Sequence, residues 1–136
     1  MEHEALTRTI IGRAFAVYDA LGPGFLESVY RNALAHELRN SGLPVECEVA
    51  LHVRYRDVVV GLFVADLIVD RRVLLELKAV RTLGPTHEEQ LHHYLLATGL
   101  STGMLLNFGS PRLEFRRRIG PRSIGRTQDL TRSDKI

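Results

Sequence analysis

The stretch from residue 62 to residue 80 constrains the fold of this chain more than any other. Two apolar, β-branched runs flank a short polar segment at 70–72, a pattern that predicts a β-hairpin. Asp66 lies inside the first run, and Glu76 and Lys78 lie inside the second. An ionised carboxylate within an apolar strand costs roughly several kcal/mol unless it is paired or binds a metal ion. These charges therefore indicate a role beyond folding.

The register of the hairpin decides whether the two carboxylates can act together. Side chains alternate along a strand, so Glu76 and Lys78 project from one face. A three-residue loop pairs Val69 with Val73 and brings Asp66 to the face of Glu76. A two-residue loop sends the carboxylates to opposite faces. The hypothesis of a shared site therefore predicts that Val69 lies opposite Val73.

The composition is that of a globular protein with one domain. The chain has 136 residues, of which 45% are hydrophobic and 25% charged. Its net charge of +2 is too small to indicate nucleic-acid binding, although arginines are concentrated near the C-terminal end. A single cysteine, Cys47, excludes an intramolecular disulfide and a cysteine-based zinc site. The N-terminal residues lack the apolar core of a signal peptide, and no apolar run approaches the length of about 18 residues that spans a membrane. We therefore expect a cytoplasmic protein.

Apolar residues recur at helical spacing near the start of the chain and again after residue 85. They predict helices over 6–21 and 26–38, separated by a Gly-Pro-Gly break, with a single sharply bent helix as the alternative. A third helix is predicted to begin near Thr86, because Glu89 three residues later completes the pattern of a capping box. This helix is expected to end at Gly99.

Strands are predicted between and after these helices. The second strand is apolar on both sides and is expected inside the sheet, with a bulge or bend at Gly61. The last is expected to be an edge strand. The order predicts an α/β layer arrangement, with residues 1–119 as one domain and 120–136 as a basic, flexible tail. The predicted strands are 45–53, 58–69, 73–80, 103–108 and 113–119.

Asp66, Glu76 and Lys78 have the chemistry needed for metal-assisted hydrolysis of phosphodiester bonds. Two carboxylates on one face offer the oxygen ligands that Mg²⁺ or Mn²⁺ prefers. A lysine beside them is able to orient a water or stabilise charge at a phosphate. Two other interpretations remain open: a solvated Glu76–Lys78 pair, and an internal ion pair between Asp66 and Lys78.

Two helices carry further polar residues. His87, Gln90 and Tyr94 form one stripe at positions i, i+3 and i+7 of the third helix. Such a stripe is usually the wet side of a helix, but leucines beside it place this one at the border of the buried side. In the second helix Glu27 lies in the first turn, where it either favours the helix dipole or serves the site.

Five motifs follow one another in the order that is typical of the GxxExxY protein family. The chain resembles that family over about residues 5–119, and the family is similar to the PD-(D/E)XK nuclease superfamily. That resemblance implies a restriction-endonuclease-like αβββαβ core with a central mixed sheet flanked by helices. The motifs are Gly24-x-x-Glu27-x-x-Tyr30, Ala65-Asp66, Glu76-Leu77-Lys78, Gln90-x-x-x-Tyr94 and the apolar run 103–108.

The resemblance also implies roles for single residues. Ala65 replaces the proline of the superfamily's name, which leaves the carboxylate of Asp66 in place. The implied metal ligands are Asp66, Glu76, the Leu77 carbonyl and Glu27. The implied catalytic residues are Lys78, Asp66 and Glu76, assisted by Gln90 and Tyr94 near the site or the nucleic-acid strand.

Taken together, the sequence predicts a Mg²⁺- or Mn²⁺-dependent nuclease. Nucleic acid is the expected partner, DNA more than RNA, with no membrane partner and with a homodimer left open. A non-catalytic nucleic-acid-binding or protein-interaction module that retains the fold is the alternative. The residues expected to contact phosphates are Arg112, Arg116, Arg117, Arg118 and His87.

Overall fold

The computed structural model describes residues 3–120, which form three helices and five strands. The helices are α1 (Glu4–Leu21), α2 (Glu27–Asn40) and α3 (Pro85–Thr98). The strands are β1 (Val45–Tyr55), β2 (Val58–Val69), β3 (Val73–Lys78), β4 (Thr102–Asn107) and β5 (Glu114–Ile119). No helix in this part of the chain is long and apolar enough to cross a membrane. Of the predicted C-terminal tail, all but Gly120 lies outside the described residues.

The strands form one mixed sheet in the order β1-β2-β3-β4-β5. β3 and β4 are parallel, and every other neighbouring pair is antiparallel. The connection between the parallel strands runs through α3, as a parallel pair requires. This arrangement confirms the predicted restriction-endonuclease-like αβββαβ order.

The sheet separates two apolar clusters. On one face, α1 and α2 pack against the sheet around Leu34 and Leu75. On the other face, α3 packs around Leu74, Leu91 and Leu95. Because both faces of β3 are covered, a polar group on this strand is withdrawn from water unless it lies near the strand end.

The break between the first two helices is real, so the alternative of one bent helix is wrong. Tyr30 is fully buried and fixes the loop 22–26 through its hydroxyl. The hydroxyl donates to the carbonyl of Gly22 at 2.5 Å and accepts from the N–H of Phe25 at 3.1 Å. Its ring stacks on Phe108, which directly follows β4, with centroids 4.7 Å apart. Tyr30 thus attaches the start of α2 to the end of the sheet at which β3 also terminates.

The prediction that β2 lies wholly inside the sheet is wrong for its first half. Only 67–69 pair with β3, whereas the earlier part of β2 pairs with β1 alone. Val58, Val60 and Leu62 are each 59% exposed. β-Branched residues favour strand pairing whether or not the strand is buried, so their run does not report burial. A register shift between Val53 and Arg54 confirms an irregularity next to Gly61.

The predicted capping box of the third helix is also wrong. α3 begins at Pro85, with Gly84 as its N-cap, so Thr86 is already inside the helix. The ring nitrogen Nδ1 of His87 accepts the N–H of Gly84 at 3.0 Å. Proline is favoured at the first helical position because its missing N–H is not needed there. This proline moves the start of the helix to the residue before Thr86.

Candidate active site

The hairpin between β2 and β3 has the predicted register. Val69 pairs with Val73 and Leu67 pairs with Leu75 across the loop 70–72. The next positions outward are Asp66 and Glu76, which the register therefore brings to the same face. This register was the geometric condition for a shared carboxylate site.

The pairing of β2 with β3 ends at Leu67, the residue next to Asp66. From there the Asp66 side chain continues the connection between the two strands. Its Oδ2 accepts the N–H of Leu77 at 2.8 Å. The carboxylate thus takes the place of a main-chain acceptor at the point where the strands diverge. It links the two strands and satisfies a donor that would otherwise lose its ladder partner.

Beside Asp66, the regular alternation of side chains between the two faces of the sheet is interrupted in both β1 and β2. Ala65 packs in the cluster under α3, whereas Leu67 packs in the cluster under α1 and α2. Alternate residues of a regular strand would share one face. β1 makes the same change between Cys47 and Val49, with the intervening Glu48 at φ 51°.

This irregularity corrects the sequence-based view of the surroundings of Asp66. Asp66 was expected between two apolar faces, but Leu62 and Val64 are 59% and 47% exposed. The Asp66 side chain is half-buried. Its protected environment comes from Glu76 and the main chain of β3 rather than from its own strand.

Glu76 is the most strongly perturbed ionisable group of the site. It is 3% exposed, and its Oε1 has no hydrogen-bond partner among residues 3–120. Burial raises the pKa of Glu76 to about 9, and the charge of Asp66 and a hydrogen bond with it act in the same direction. Lys78 opposes this shift. In the absence of a cation Glu76 is therefore protonated at neutral pH and donates a hydrogen bond to Asp66.

Lys78 ends β3 and is half-buried. Its charge acts on Glu76, yet within the described residues it forms no ion pair with Glu76 or with Asp66. The structure therefore lacks the internal Asp66–Lys78 ion pair that was one interpretation of the sequence. The ammonium group remains available to an anion at the end of the strand.

Tyr94 of α3 lies near the carboxylates, and Gln90 is bonded to it. Gln90 Nε2 donates to the hydroxyl oxygen of Tyr94 at 3.3 Å. Tyr94 is 7% exposed, and its ring lies 5.2 Å from that of Phe63. Burial and the nearby charge of Glu76 raise the pKa of Tyr94, against the effect of the Gln90 hydrogen bond. Its hydroxyl is thus kept neutral beside the carboxylates.

A comparison with family models agrees with this geometry. A model described as the PD-(D/E)XK nuclease superfamily matches residues 4–118. The chain belongs to this superfamily. No curated protein and no solved structure gives a significant match. Membership suggests nuclease activity, because the superfamily generally comprises nucleases that cleave phosphodiester bonds.

Two predicted site residues of this PD-(D/E)XK domain lie apart from the carboxylate pair. Glu27 is the exposed first residue of α2, and α2 packs on the face of the sheet opposite Glu76. Within the described chain, no three or more His, Cys, Asp or Glu side chains form a group that could hold a metal ion, so Glu27 does not join the carboxylate pair. His87 uses its Nδ1 to cap α3, as described above. The capping hydrogen bond accounts for the position of His87 in the polar stripe of α3.

The predicted phosphate-contacting arginines do not form one surface. Arg116 pairs with Glu88 of α3, with Nε and Oε2 3.8 Å apart. Arg117 points to the opposite face from Arg116 and Arg118, because side chains alternate along β5. Arg112 lies in the loop 108–113 and is exposed. The sequence shows their clustering but not these different directions.

Asn107 is a residue of the site region that sequence reasoning missed. Its side chain is fully buried at the position of β4 that pairs with Lys78. Oδ1 accepts the N–H groups of Val80 and Gly109, each at 3.0 Å. Nδ2 donates to the Val80 carbonyl and to Glu114 Oε1, each at 2.8 Å. A polar residue inside the apolar run 103–108 was the available signal.

These bonds hold the segment that directly follows Lys78. A Cβ on Gly109 would lie 2.4 Å from the carbonyl carbon of Ala79, so only glycine fits there. Glu114 also accepts the N–H of Leu83 at 3.3 Å, and the hydrogen bond from Asn107 lowers its pKa. The end of β3 is therefore fixed from β4 and β5.

The hydrogen bond between Asp66 and Leu77 predicts unequal effects of two substitutions in the metal-free protein. Asp66→Ala should lower the free energy of unfolding by about 1–3 kcal/mol, because the Leu77 N–H loses its acceptor. Asp66→Asn retains an oxygen acceptor and should cost less than about 1 kcal/mol. Urea unfolding in EDTA measures both. Equal losses for the two variants would contradict the bridging role of Asp66.

The raised pKa of Glu76 predicts a specific pH dependence of stability. Between 4.5, its ordinary pKa, and about 9, the unfolded chain ionises Glu76 while the folded chain keeps the proton. The free energy of unfolding should therefore fall by about 1.4 kcal/mol per pH unit through this group as pH rises in that window. Urea unfolding at several pH values in EDTA should show a shallower fall for Glu76→Gln. Identical slopes for the two proteins would refute a buried, protonated Glu76.

Proposed function

We propose that this PD-(D/E)XK domain is a divalent-metal-dependent nuclease that hydrolyses phosphodiester bonds in nucleic acid, with DNA favoured over RNA. The observation that carries the proposal is the contact between Asp66 and Glu76, with one buried Glu76 oxygen left without a partner. A buried carboxyl oxygen without a hydrogen-bond partner is costly for folding alone. A bound cation would satisfy that oxygen and remove the need for the proton on Glu76.

The donor set fits Mg²⁺ or Mn²⁺. Both are hard cations that prefer carboxylate, carbonyl and water oxygens. Asp66 and Glu76 would supply carboxylates, and the Leu77 carbonyl is a third candidate. The N–H and C=O of one strand residue point to the same side, so this carbonyl is turned toward Asp66, which accepts the Leu77 N–H. Glu27 lies outside the cluster, and we leave it out of the proposed ligand set.

The bound ion would supply Lewis-acid polarisation of the phosphate and a more acidic water. Glu76 must release its proton to become a ligand, so metal binding and deprotonation are coupled. Asp66 holds the end of β3 in place through the Leu77 N–H and so fixes the spacing of the ligands. Its two functions use different atoms, because Oδ2 accepts that N–H.

Lys78 is proposed to stabilise negative charge on the phosphate during the reaction. A positive group that is already oriented before the reaction is worth more than one that must be reorganised. In support of this role, Asn107 and Gly109 fix the main chain that directly follows Lys78. Gln90 and Tyr94 are proposed as positioning residues. Through Tyr94 they present a neutral hydroxyl to the carboxylates or to the nucleic-acid strand.

The narrower assignment to the GxxExxY family is also a proposal. It rests on Gly24, Glu27 and Tyr30 in their characteristic spacing. Tyr30 has a structural role in this fold, because the hydrogen bonds of its hydroxyl group fix the loop before α2. Glu27 has no comparable contact within the described residues.

Cleavage assays test the proposed function. The protein is incubated with single-stranded, duplex and branched DNA and with RNA, in Mg²⁺, Mn²⁺ or EDTA. Asp66→Asn, Glu76→Gln and Lys78→Ala should each reduce cleavage by about 10²-fold or more, because each removes a ligand or a charge at the reacting phosphate. The matched control is Arg71→Gln, at an exposed loop position at the opposite end of β3.

The control variant should retain full activity. Metal-dependent cleavage that survives Asp66→Asn and Lys78→Ala would refute the assignment. If no nucleic acid is cleaved while binding persists, the domain is the non-catalytic module that was the alternative.

A further inference from the structure

An open cavity of about 450 Å³ lies at the end of the sheet at which β3 and β4 terminate. It is formed by the loop after β3 and the loop after β4, and two of its lining residues are Arg81 and Arg112. Thr82 and Ser110 add hydroxyl groups to the same lining. The cavity is separate from the carboxylate pair but begins three residues after Lys78.

Both arginines are exposed, and in the described chain neither forms an ion pair. Arginines elsewhere do form them, as Arg13 does with Glu37 and Arg116 with Glu88. Glu114 also lines the cavity. Its Oε1 already accepts from Asn107 Nδ2 and the Leu83 N–H, and its single charge does not balance two arginines. The cavity therefore carries a net positive charge.

The main chain around the cavity is fixed before any ligand arrives. Asn107 bonds both main-chain groups of Val80, the residue before Arg81. On the other side, Tyr18 donates its hydroxyl to the Ser110 carbonyl at 2.7 Å, and Ser110 Oγ donates to the Arg112 carbonyl at 2.5 Å. Both arginines thus extend from rigid loops, which reduces the entropy lost on binding.

We propose that Arg81 and Arg112 form a phosphate-binding site for the nucleic-acid backbone, within about three phosphates of the one that is cleaved. The identity of the ligand rests on the proposed nuclease function. Three residues of extended chain span at most roughly 10 Å. That length corresponds to about three phosphates of one stacked strand. Guanidinium groups suit this ligand because they bind phosphate oxygens in a bidentate manner.

The test measures binding of a labelled single-stranded DNA to the full chain in EDTA, at salt concentrations from about 50 to 200 mM. Arg81→Gln and Arg112→Gln should each weaken binding about 10-fold, the loss expected for one charge-assisted contact. Each should also reduce the slope of log affinity against log salt by about 0.7, and the double variant by about 1.4. The control Arg71→Gln, an exposed arginine at the opposite end of β3, should change neither quantity.

An unchanged slope in the double variant, or an equal effect of Arg71→Gln, would overturn the site. Displacement of the DNA by inorganic phosphate at equal concentration would overturn the assignment to a strand, since a strand is held at several phosphates. Because the assay contains no metal ion, its result is independent of cleavage. Loss of binding in the arginine variants supports the site even if the protein cleaves nothing, and cleavage with unchanged binding refutes the site alone.

Discussion

The close approach of Asp66 and Glu76 in a site largely closed to water is the interaction on which the rest of this structure depends. Two carboxyl groups in contact cannot both remain ionised without a cation. Burial, reinforced by the charge of Asp66, raises the pKa of Glu76 to about 9, so the metal-free protein keeps a proton on Glu76. The proposed function requires the pair to exchange this proton for a metal ion.

The surrounding fold maintains that contact from several directions. The hairpin register sets the two carboxylates on one face, and the Asp66–Leu77 hydrogen bond holds the strands where their ladder ends. α3 covers the pair and brings Tyr94 beside it. β4 fixes the chain beyond Lys78 through Asn107. The consequence is that the charged groups meet where β3 ends.

Sequence reasoning was effective where local rules decide the outcome. Side-chain parity limited the hairpin to two loop lengths, and the hypothesis of a shared carboxylate site selected the one that pairs Val69 with Val73, which the structure has. The helices followed from apolar spacing and from the glycine and proline residues between them. These features depend on neighbours in the chain, so no tertiary information was required.

Sequence reasoning failed where partners come from distant parts of the chain. The exposure of Val58 and Leu62 depends on how far β3 extends along β2, which composition does not encode. The pairing of Arg116 with Glu88 depends on the packing of α3 against β5. The bonds of Asn107 join three separate segments. The same reason applies to Arg81, whose relation to Arg112 exists only after the sheet is assembled.

Calorimetric titration with Mn²⁺ tests the central proposal most directly, provided that proton release is measured in buffers of different ionisation enthalpy. At a pH between 7 and 8, each bound ion should release about one proton, because Glu76 must ionise to become a ligand. Both the binding and the proton release should be lost in Asp66→Asn and in Glu76→Gln. Mn²⁺ binding that releases no proton, or that persists in both variants, would contradict a metal site at this pair.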